Sequence, residues 1–190
     1  FSYSMIHYTA RKNRVPDAQQ LYEYTFGYST DPYFINRQTG EMGRTAALRL
    51  WWTDGLQSDF FNGIVGFGPG ASRGKSAFGV GDEARKYPFF IDRSAATQLL
   101  WDVGLLGFLS YMLIPLAAIW SAFRFGALQQ LPGGLRAIGA AAPALLGMSM
   151  MMIPYGRDIL EVPALNFFYM FLIGIVALII RRKKEYARQA

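Results

Sequence analysis

Three long runs of apolar residues, none containing a charged side chain, constrain this chain more than any other feature. They cover residues 103–123, 137–155 and 162–180, which is 21, 19 and 19 residues, and charged residues stand close to their ends. A helix needs roughly 20 mostly apolar residues to cross the hydrocarbon core of a bilayer, where an unpaired backbone group is not tolerated. The sequence therefore predicts three transmembrane helices, at about 99–123, 137–155 and 162–180.

The composition agrees with a membrane protein and excludes several kinds of chemistry. Hydrophobic residues make up 52% of the chain, charged residues make up 17%, and the mean hydropathy is +0.16. Such a chain is too apolar to be disordered and has too few charges for an ordinary soluble domain. There is no cysteine, and His7 is the single histidine, so disulfides, thiolate metal sites and multi-histidine metal centres are excluded. We expect no metal and no cofactor.

The distribution of basic residues predicts the orientation. The last apolar run is followed directly by Arg181-Arg182-Lys183-Lys184, and basic residues stay on the cytoplasmic side of a membrane. The C-terminus is therefore predicted to be cytoplasmic, with residues 1–98 and the loop around Arg157 outside. Residues 1–98 carry 11 basic and 9 acidic side chains, and the remainder carries 8 and 4. This spread does not indicate nucleic-acid binding.

The predicted fold class is an all-α integral membrane protein with three transmembrane helices and a large, partly helical extracytoplasmic loop. Residues 1–98 form the loop, and residues 99–190 form the membrane region with its basic tail. Because the chain begins with Phe1 and not Met, we expect it to be a piece of a longer protein.

Within the loop the sequence predicts a short helix over 17–26, a turn-rich stretch over 30–41 and a second helix over 44–61. The second helix is expected to bury apolar residues at helical spacing: Leu48, Trp51, Trp52, Leu56 and Phe60. Arg44 and Arg49 lie five positions apart, which is about 140° around a helix. The two arginines are therefore not expected to point into the same small pocket.

A glycine-rich segment follows, with Gly66, Gly68 and Gly70 at alternate positions. The stretch 74–76 matches the last three positions of a phosphate-binding loop, but the first glycine that this motif requires falls on Pro69. Nucleotide binding is therefore not expected. The segment predicts a sharp turn that lets the backbone approach a substrate or a neighbouring helix closely.

Two further arginines are predicted to lie at the outer membrane surface. Arg93 follows Asp92 shortly before the first apolar run, and Arg157 lies in the short loop between the second and third runs. An arginine in such a place either anchors a helix by snorkelling or binds an anion. Guanidinium groups remain charged and bind phosphate oxygens in a bidentate manner, so a cluster of outward arginines suits a lipid diphosphate.

The order of these pieces resembles the O-antigen ligase and polysaccharide polymerase family of bacterial membrane proteins. An arginine precedes Trp51-Trp52, the Gly66-Phe67-Gly68 turn follows, and a Gly-Leu-Leu-Gly sequence occurs at 104–107. The resemblance covers roughly residues 43–125. Ligases of this family commonly carry a histidine eleven positions before the closing motif, where this chain has Arg93. This difference favours a polymerase over a ligase.

The resemblance implies a multi-pass protein of the bacterial inner membrane that transfers an undecaprenyl-diphosphate-linked glycan donor to a glycan acceptor. Arg44 or Arg49, together with Arg93, would hold the diphosphate, and Asp92 would be the base, with Asp102 as the second candidate. Gly66, Gly68, Gly70, Arg157 and Trp52 would contribute to substrate binding. The expected partners are the two glycans and the lipid bilayer, with no nucleic acid.

A noncatalytic role stays open from the residues alone. The chain could be a transport or scaffold subunit of a polysaccharide-assembly complex, in which the aromatic residues of the loop bind glycan or a partner protein. Four aromatic side chains could stack against a sugar in either role: Trp51, Trp52, Tyr87 and Phe89.

Overall fold

The structure is a computed structural model that describes residues 26, 28–36, 40–74, 79–125 and 133–189, and it is mostly helical. The α-helices in chain order are α1 (Tyr28–Thr30), α2 (Arg44–Leu50), α3 (Phe60–Val65), α4 (Ala95–Asp102), α5 (Gly104–Phe125), α6 (Gly133–Met152), α7 (Asp158–Glu161) and α8 (Pro163–Gln189). A π-helix covers Trp51–Gln57 and a 3₁₀-helix covers Ala84–Lys86. Strands β1 (Ile35–Asn36) and β2 (Glu41–Met42) pair antiparallel within the stretch predicted to be turn-rich. Residues 17–25 of the predicted first helix lie outside the described residues.

Two of the helices are long and apolar enough to cross a bilayer. They are α5 over Gly104–Phe123 and α8 over Pro163–Arg182, each with a 20-residue apolar stretch. In α6 the apolar stretch is shorter and covers Arg136–Met152, about 25 Å at 1.5 Å per residue. The described residues thus confirm a mainly helical fold with two candidate membrane helices.

Helices α5, α6 and α8 pack against one another, and we refer to them as the helix bundle. On α6 the buried residues Gly139, Ala142 and Leu146 share one face. A Cβ atom at Gly139 would lie 2.8 Å from the side chain of Ile179 on α8. Small residues here let the two helices approach closely.

The surfaces of the bundle helices that face away from one another are strongly apolar and exposed. Large side chains exposed on them include Leu113, Trp120, Phe123, Met148, Met151 and Phe167. An exposed apolar surface of this extent is unusual for a protein surrounded by water and is typical of helices surrounded by lipid.

The predicted first membrane helix, 99–123, was wrong in its first part. The helix is interrupted at Val103 and Gly104, and Gly104 has a φ of +70°. The preceding helix α4 starts at a capping box formed by Ser94 and Thr97. Nearly all of α4 is buried, including Trp101. Residues 99–102 therefore belong to a separate buried helix and not to the apolar α5.

The predicted helix over 44–61 is interrupted. The α-helix α2 continues as the π-helix, and α3 begins only after Asp59, whose side chain caps it by accepting from the backbone N–H of Asn62. Trp51 and Leu56 are buried as predicted. The predicted burial of three further residues was wrong, because Leu48, Trp52 and Phe60 are exposed. The wider π-turn and the break at 58–59 change the helical phase at Trp52 and Phe60. Leu48 lies before them in α2, whose buried residues are Ala46 and Ala47.

Helix α4 joins the loop region to the helix bundle. The indole N–H of Trp51 donates to the Leu100 carbonyl over 2.9 Å. At the other end of α4, the backbone N–H groups of Ala95 and Ala96 donate to the carbonyls of Gly156 and Ile153, at 2.8 and 3.1 Å. The start of α4 is thus fixed against the connection between α6 and α7.

Candidate functional site

A cleft of about 300 Å³ lies where the start of α4 meets the α6–α7 connection. It is lined by Phe90, Asp92, Arg93, Arg157 and Glu161. Three of the residues singled out from the sequence, Asp92, Arg93 and Arg157, are therefore brought together in one place. The arginine of the short loop comes from a segment about 65 positions along the chain from the other two.

Asp92 and Arg157 form the central ion pair of the cleft. The Asp92 side chain is 2% exposed and the Arg157 side chain is 38% exposed. One guanidinium nitrogen, Nη1 of Arg157, donates to Oδ2 of Asp92 and lies 3.6 Å from Oε1 of Glu161. Arg157 thus faces two carboxylates, one buried and one half-exposed.

Burial raises the pKa of Asp92 above its ordinary value of 3.8. Arg157 and the backbone N–H groups of Asp92 and Gly74 oppose the shift, but removal from water outweighs them. Among the described residues, none donates a hydrogen bond of ordinary geometry to the Oδ1 atom of Asp92. Because its pKa is raised, Asp92 is a stronger base than a carboxylate in water.

Arg93 is held by a residue that the sequence analysis did not single out. Its Nε and Nη2 atoms both donate to the hydroxyl of Tyr28, the former over 3.0 Å. Its guanidinium carbon also lies 5.6 Å from the centre of the Tyr28 ring. No local pattern could have identified Tyr28, because it lies 65 positions before Arg93.

Arg44 does not line the cleft but contacts the segment that carries Arg157. Its Nε donates to the carbonyl oxygen of Tyr155 and its Nη1 donates to the hydroxyl of Ser29, both at 3.0 Å. The guanidinium carbon lies 5.4 Å from the ring centres of both Tyr28 and Tyr155. Arg44 is thus placed to position the loop that carries Arg157.

Arg49 and Trp52 lie elsewhere on the surface. The Arg49 guanidinium stacks over the Tyr33 ring at 3.8 Å, and the indole of Trp52 is exposed on the π-helix. Neither residue lines the cleft. The separation of Arg44 from Arg49 agrees with the angular argument from sequence.

The glycine-rich turn contacts helix α4 and the start of α5. Gly66, Gly68 and Gly70 have φ values of +101°, +110° and +82°. The carboxylate of Asp102 accepts 2.9 Å hydrogen bonds from the backbone N–H groups of Gly70 and Ser72. Asp102, the second candidate base, therefore has both oxygens engaged in holding this turn.

Gly66 and Gly104 make a close backbone contact, which we refer to as the glycine junction. A Cβ at Gly66 would lie 2.4 Å from the Asp102 carbonyl oxygen. A Cβ at Gly104 would lie 2.4 Å from both the Gly66 nitrogen and the Ile64 carbonyl oxygen. The glycine-rich turn was predicted to approach either a substrate or a neighbouring helix. In the structure it approaches the point where α4 ends and α5 begins.

Replacing Arg157 with alanine is expected to lower the free energy of unfolding by about 3 kcal/mol, because Asp92 would keep a buried charge without its cation. The matched control is Arg85→Ala. Arg85 and Asp82 form an exposed pair at 3.3 Å, which is worth about 1 kcal/mol or less. Thermal unfolding in detergent would measure both variants. Equal effects of the two substitutions would contradict the structural importance of the Asp92–Arg157 pair.

Within the described part of the chain, no three His, Asp or Glu side chains are grouped so that they could hold a metal ion. Comparison with known proteins gives no family assignment: no family model, no curated protein and no solved structure matches the chain. The cleft residues and the two candidate membrane helices are therefore the features of the chain that bear on its function.

Proposed function

We propose that the protein is a membrane glycosyltransferase that acts on glycans linked to undecaprenyl diphosphate, and that the cleft binds the lipid diphosphate. The observation that carries the proposal is the cleft itself, in which Arg93 and Arg157 lie beside a buried carboxylate of raised pKa. A carboxylate in a cleft, with a pKa shifted by burial and by a specific charge partner, is a candidate for a functional site.

The location of the cleft supports a lipid-linked donor. It lies at the end of the bundle where α6 ends and α8 begins, beside the start of α4. In the proposed topology α5, α6 and α8 all cross the bacterial inner membrane, the C-terminus is cytoplasmic and the cleft faces outward. A headgroup at the outer surface would reach the arginines while its polyprenyl chain stays in the membrane.

The reaction follows from the roles of these residues. A hydroxyl of the acceptor glycan attacks the anomeric carbon of the donor sugar and gives its proton to Asp92. The bond between that carbon and the diphosphate oxygen breaks, and the lipid diphosphate leaves with the electron pair. Arg93 and Arg157 stabilise the negative charge that develops on the leaving group.

The charges of the cleft couple the proton transfer to Asp92 with the departure of the lipid diphosphate. The carboxylates of Asp92 and Glu161 both face the guanidinium of Arg157. When Asp92 takes up the proton it becomes neutral, and Arg157 loses its closest anionic partner as the charge on the diphosphate grows. The raised pKa of Asp92 favours this proton transfer.

Arg93→Ala is expected to shorten or abolish the glycan polymer in cells that make the protein at normal abundance. Arg93→Lys should restore activity only in part, because lysine keeps the charge but lacks the planar fork that binds phosphate oxygens in pairs. Gel analysis of polymer length would measure the effect.

Arg49→Ala is the matched control, since Arg49 lies over Tyr33 and outside the cleft. It should leave the polymer unchanged. Normal polymer length in Arg93→Ala, at unchanged protein abundance, would remove Arg93 from the site. Loss of polymer in both variants would contradict the assignment of the cleft as the diphosphate site.

A further inference from the structure

Helix α3 carries an apolar surface that the proposed site does not use. At 100° per residue, the side chains of Phe60, Ile64, Phe61 and Val65 occupy a continuous arc of about 140°. Phe60, Phe61 and Val65 are exposed, with Phe61 at 72%. Gly63 is buried on the other side, against the π-helix. Ile64 is partly buried and packs against the cluster that contains Trp51 and Trp101. The outward apolar surface of the short helix is therefore formed by Phe60, Phe61 and Val65.

The glycine junction fixes the position of this arc relative to α5. The Ile64 carbonyl oxygen in the last turn of α3 lies 2.4 Å from the position of a Cβ at Gly104, the first residue of α5. Helix α3 also packs against α5. The arc therefore lies at the level where the apolar stretch of α5 begins.

Helix α5 has an exposed apolar surface of its own close to this contact. Leu106, Leu109 and Leu113 are exposed along the first part of α5. A helix that lies flat at a membrane surface buries its apolar side about 5–10 Å into the boundary between headgroups and acyl chains. Phenylalanine side chains next to the start of a membrane-spanning helix match this depth.

We infer that α3 is an interfacial helix whose Phe60–Val65 apolar arc inserts into the outer leaflet at the headgroup–acyl boundary, beside α5. The occupant of this surface is lipid. The inference rests on the membrane span proposed for α5 and is independent of glycosyl transfer. Insertion would hold the glycine junction, and helix α4 beside it, at a fixed depth relative to the membrane.

Tryptophan fluorescence in vesicles made with brominated lipids tests the inference on the whole chain. The background variant carries Trp52→Phe and Trp120→Phe, which removes two exposed indoles and leaves the buried Trp51 and Trp101. Phe61→Trp in this background should be quenched more strongly by bromine near the headgroup than by bromine deep in the acyl chain. Aqueous iodide should quench it weakly.

Two controls separate the possible failures. Tyr33→Trp has a parent side chain of similar exposure, 68%, but lies beside Asp31 and Arg49, so iodide should quench it and brominated lipid should not. Leu113→Trp, nine positions into α5 and 61% exposed, should be quenched best by deep bromine. Lipid quenching of Leu113→Trp without quenching of Phe61→Trp would overturn the inference alone. Failure of both would overturn the membrane span as well.

Discussion

Gly104→Ala is expected to lower the free energy of unfolding by roughly 2 to 5 kcal/mol and to separate α5 from the glycine-rich turn. The φ of +70° at Gly104 costs a residue with a side chain about 1 to 2 kcal/mol. The new methyl group would lie 2.4 Å from backbone atoms of Gly66 and Ile64, and overpacking of this kind adds about 1 to 3 kcal/mol. Backbone atoms cannot move aside as a flexible side chain can.

Gly68→Ala is the matched control, because it separates the two contributions. Gly68 has a φ of +110° but nothing lies within 4 Å of its Cβ position. This variant should lose only the conformational part, about 1 to 2 kcal/mol. Thermal unfolding of both variants in detergent would compare them. Equal losses would show that the close contact at the glycine junction contributes nothing to stability.

The glycine junction also explains which part of the first helix prediction failed. Hydropathy is a local property, so the apolar stretches of α5 and α8 could be read from the sequence. Gly104, which follows the end of α4 with a φ of +70°, is a common type of local helix stop, but the apolar run continues through it. The contact of Gly104 with Ile64 and Gly66, about 40 positions earlier in the chain, is not visible in a window of neighbouring residues. The sequence therefore predicted one helix where α4 and α5 are two.

The same distinction applies to the candidate site. Asp92 and Arg93 are adjacent in sequence and stood out as a polar pair before an apolar run. Tyr28 belongs to no local sequence pattern that would point to the site, and only the fold brings it to Arg93. The short loop that carries Arg157 could be predicted to lie on the same side of the membrane as Asp92. The ion pair between Asp92 and Arg157 could not be predicted, because it depends on the contact between α4 and the α6–α7 connection.

The interruption of the predicted 44–61 helix has a different cause. The residues from Arg44 onward favour a helix, and Trp51 and Leu56 are buried as their spacing suggests. The π-helix begins at Trp51, whose indole N–H donates to the Leu100 carbonyl. This hydrogen bond to another helix lies at the point where the helical phase changes and Trp52 is exposed. The local sequence does not predict it.

Asp92→Asn is expected to reduce glycosyl transfer by about 10²-fold or more, the usual contribution of a general base, while leaving the protein at least as stable at pH 7. Asparagine has the shape of aspartate but cannot accept the proton of the acceptor hydroxyl. Because burial raises the pKa of Asp92, the charged form is less favourable in the folded protein than in water. Replacing it with a neutral side chain of equal size should therefore not destabilise the fold.

The pH dependence of stability gives an independent measure of the same group. With its pKa raised in the folded state, Asp92 binds more protons when folded than when unfolded between about pH 3.8, its ordinary value, and its raised pKa. Its contribution to stability therefore falls as the pH rises through this window. The Asp92→Asn variant should lack this part of the slope in unfolding measurements at a series of pH values.

Transfer of a lipid-diphosphate-linked glycan in reconstituted vesicles, with unfolding temperatures measured in parallel, would distinguish a catalytic from a structural role. The matched control is Asp82→Asn, which neutralises an exposed carboxylate paired with Arg85 and should change neither quantity. Full activity in Asp92→Asn would exclude Asp92 as the base. Activity and unfolding temperature that fall together would instead assign Asp92 to holding Arg157 and the α6–α7 connection in place.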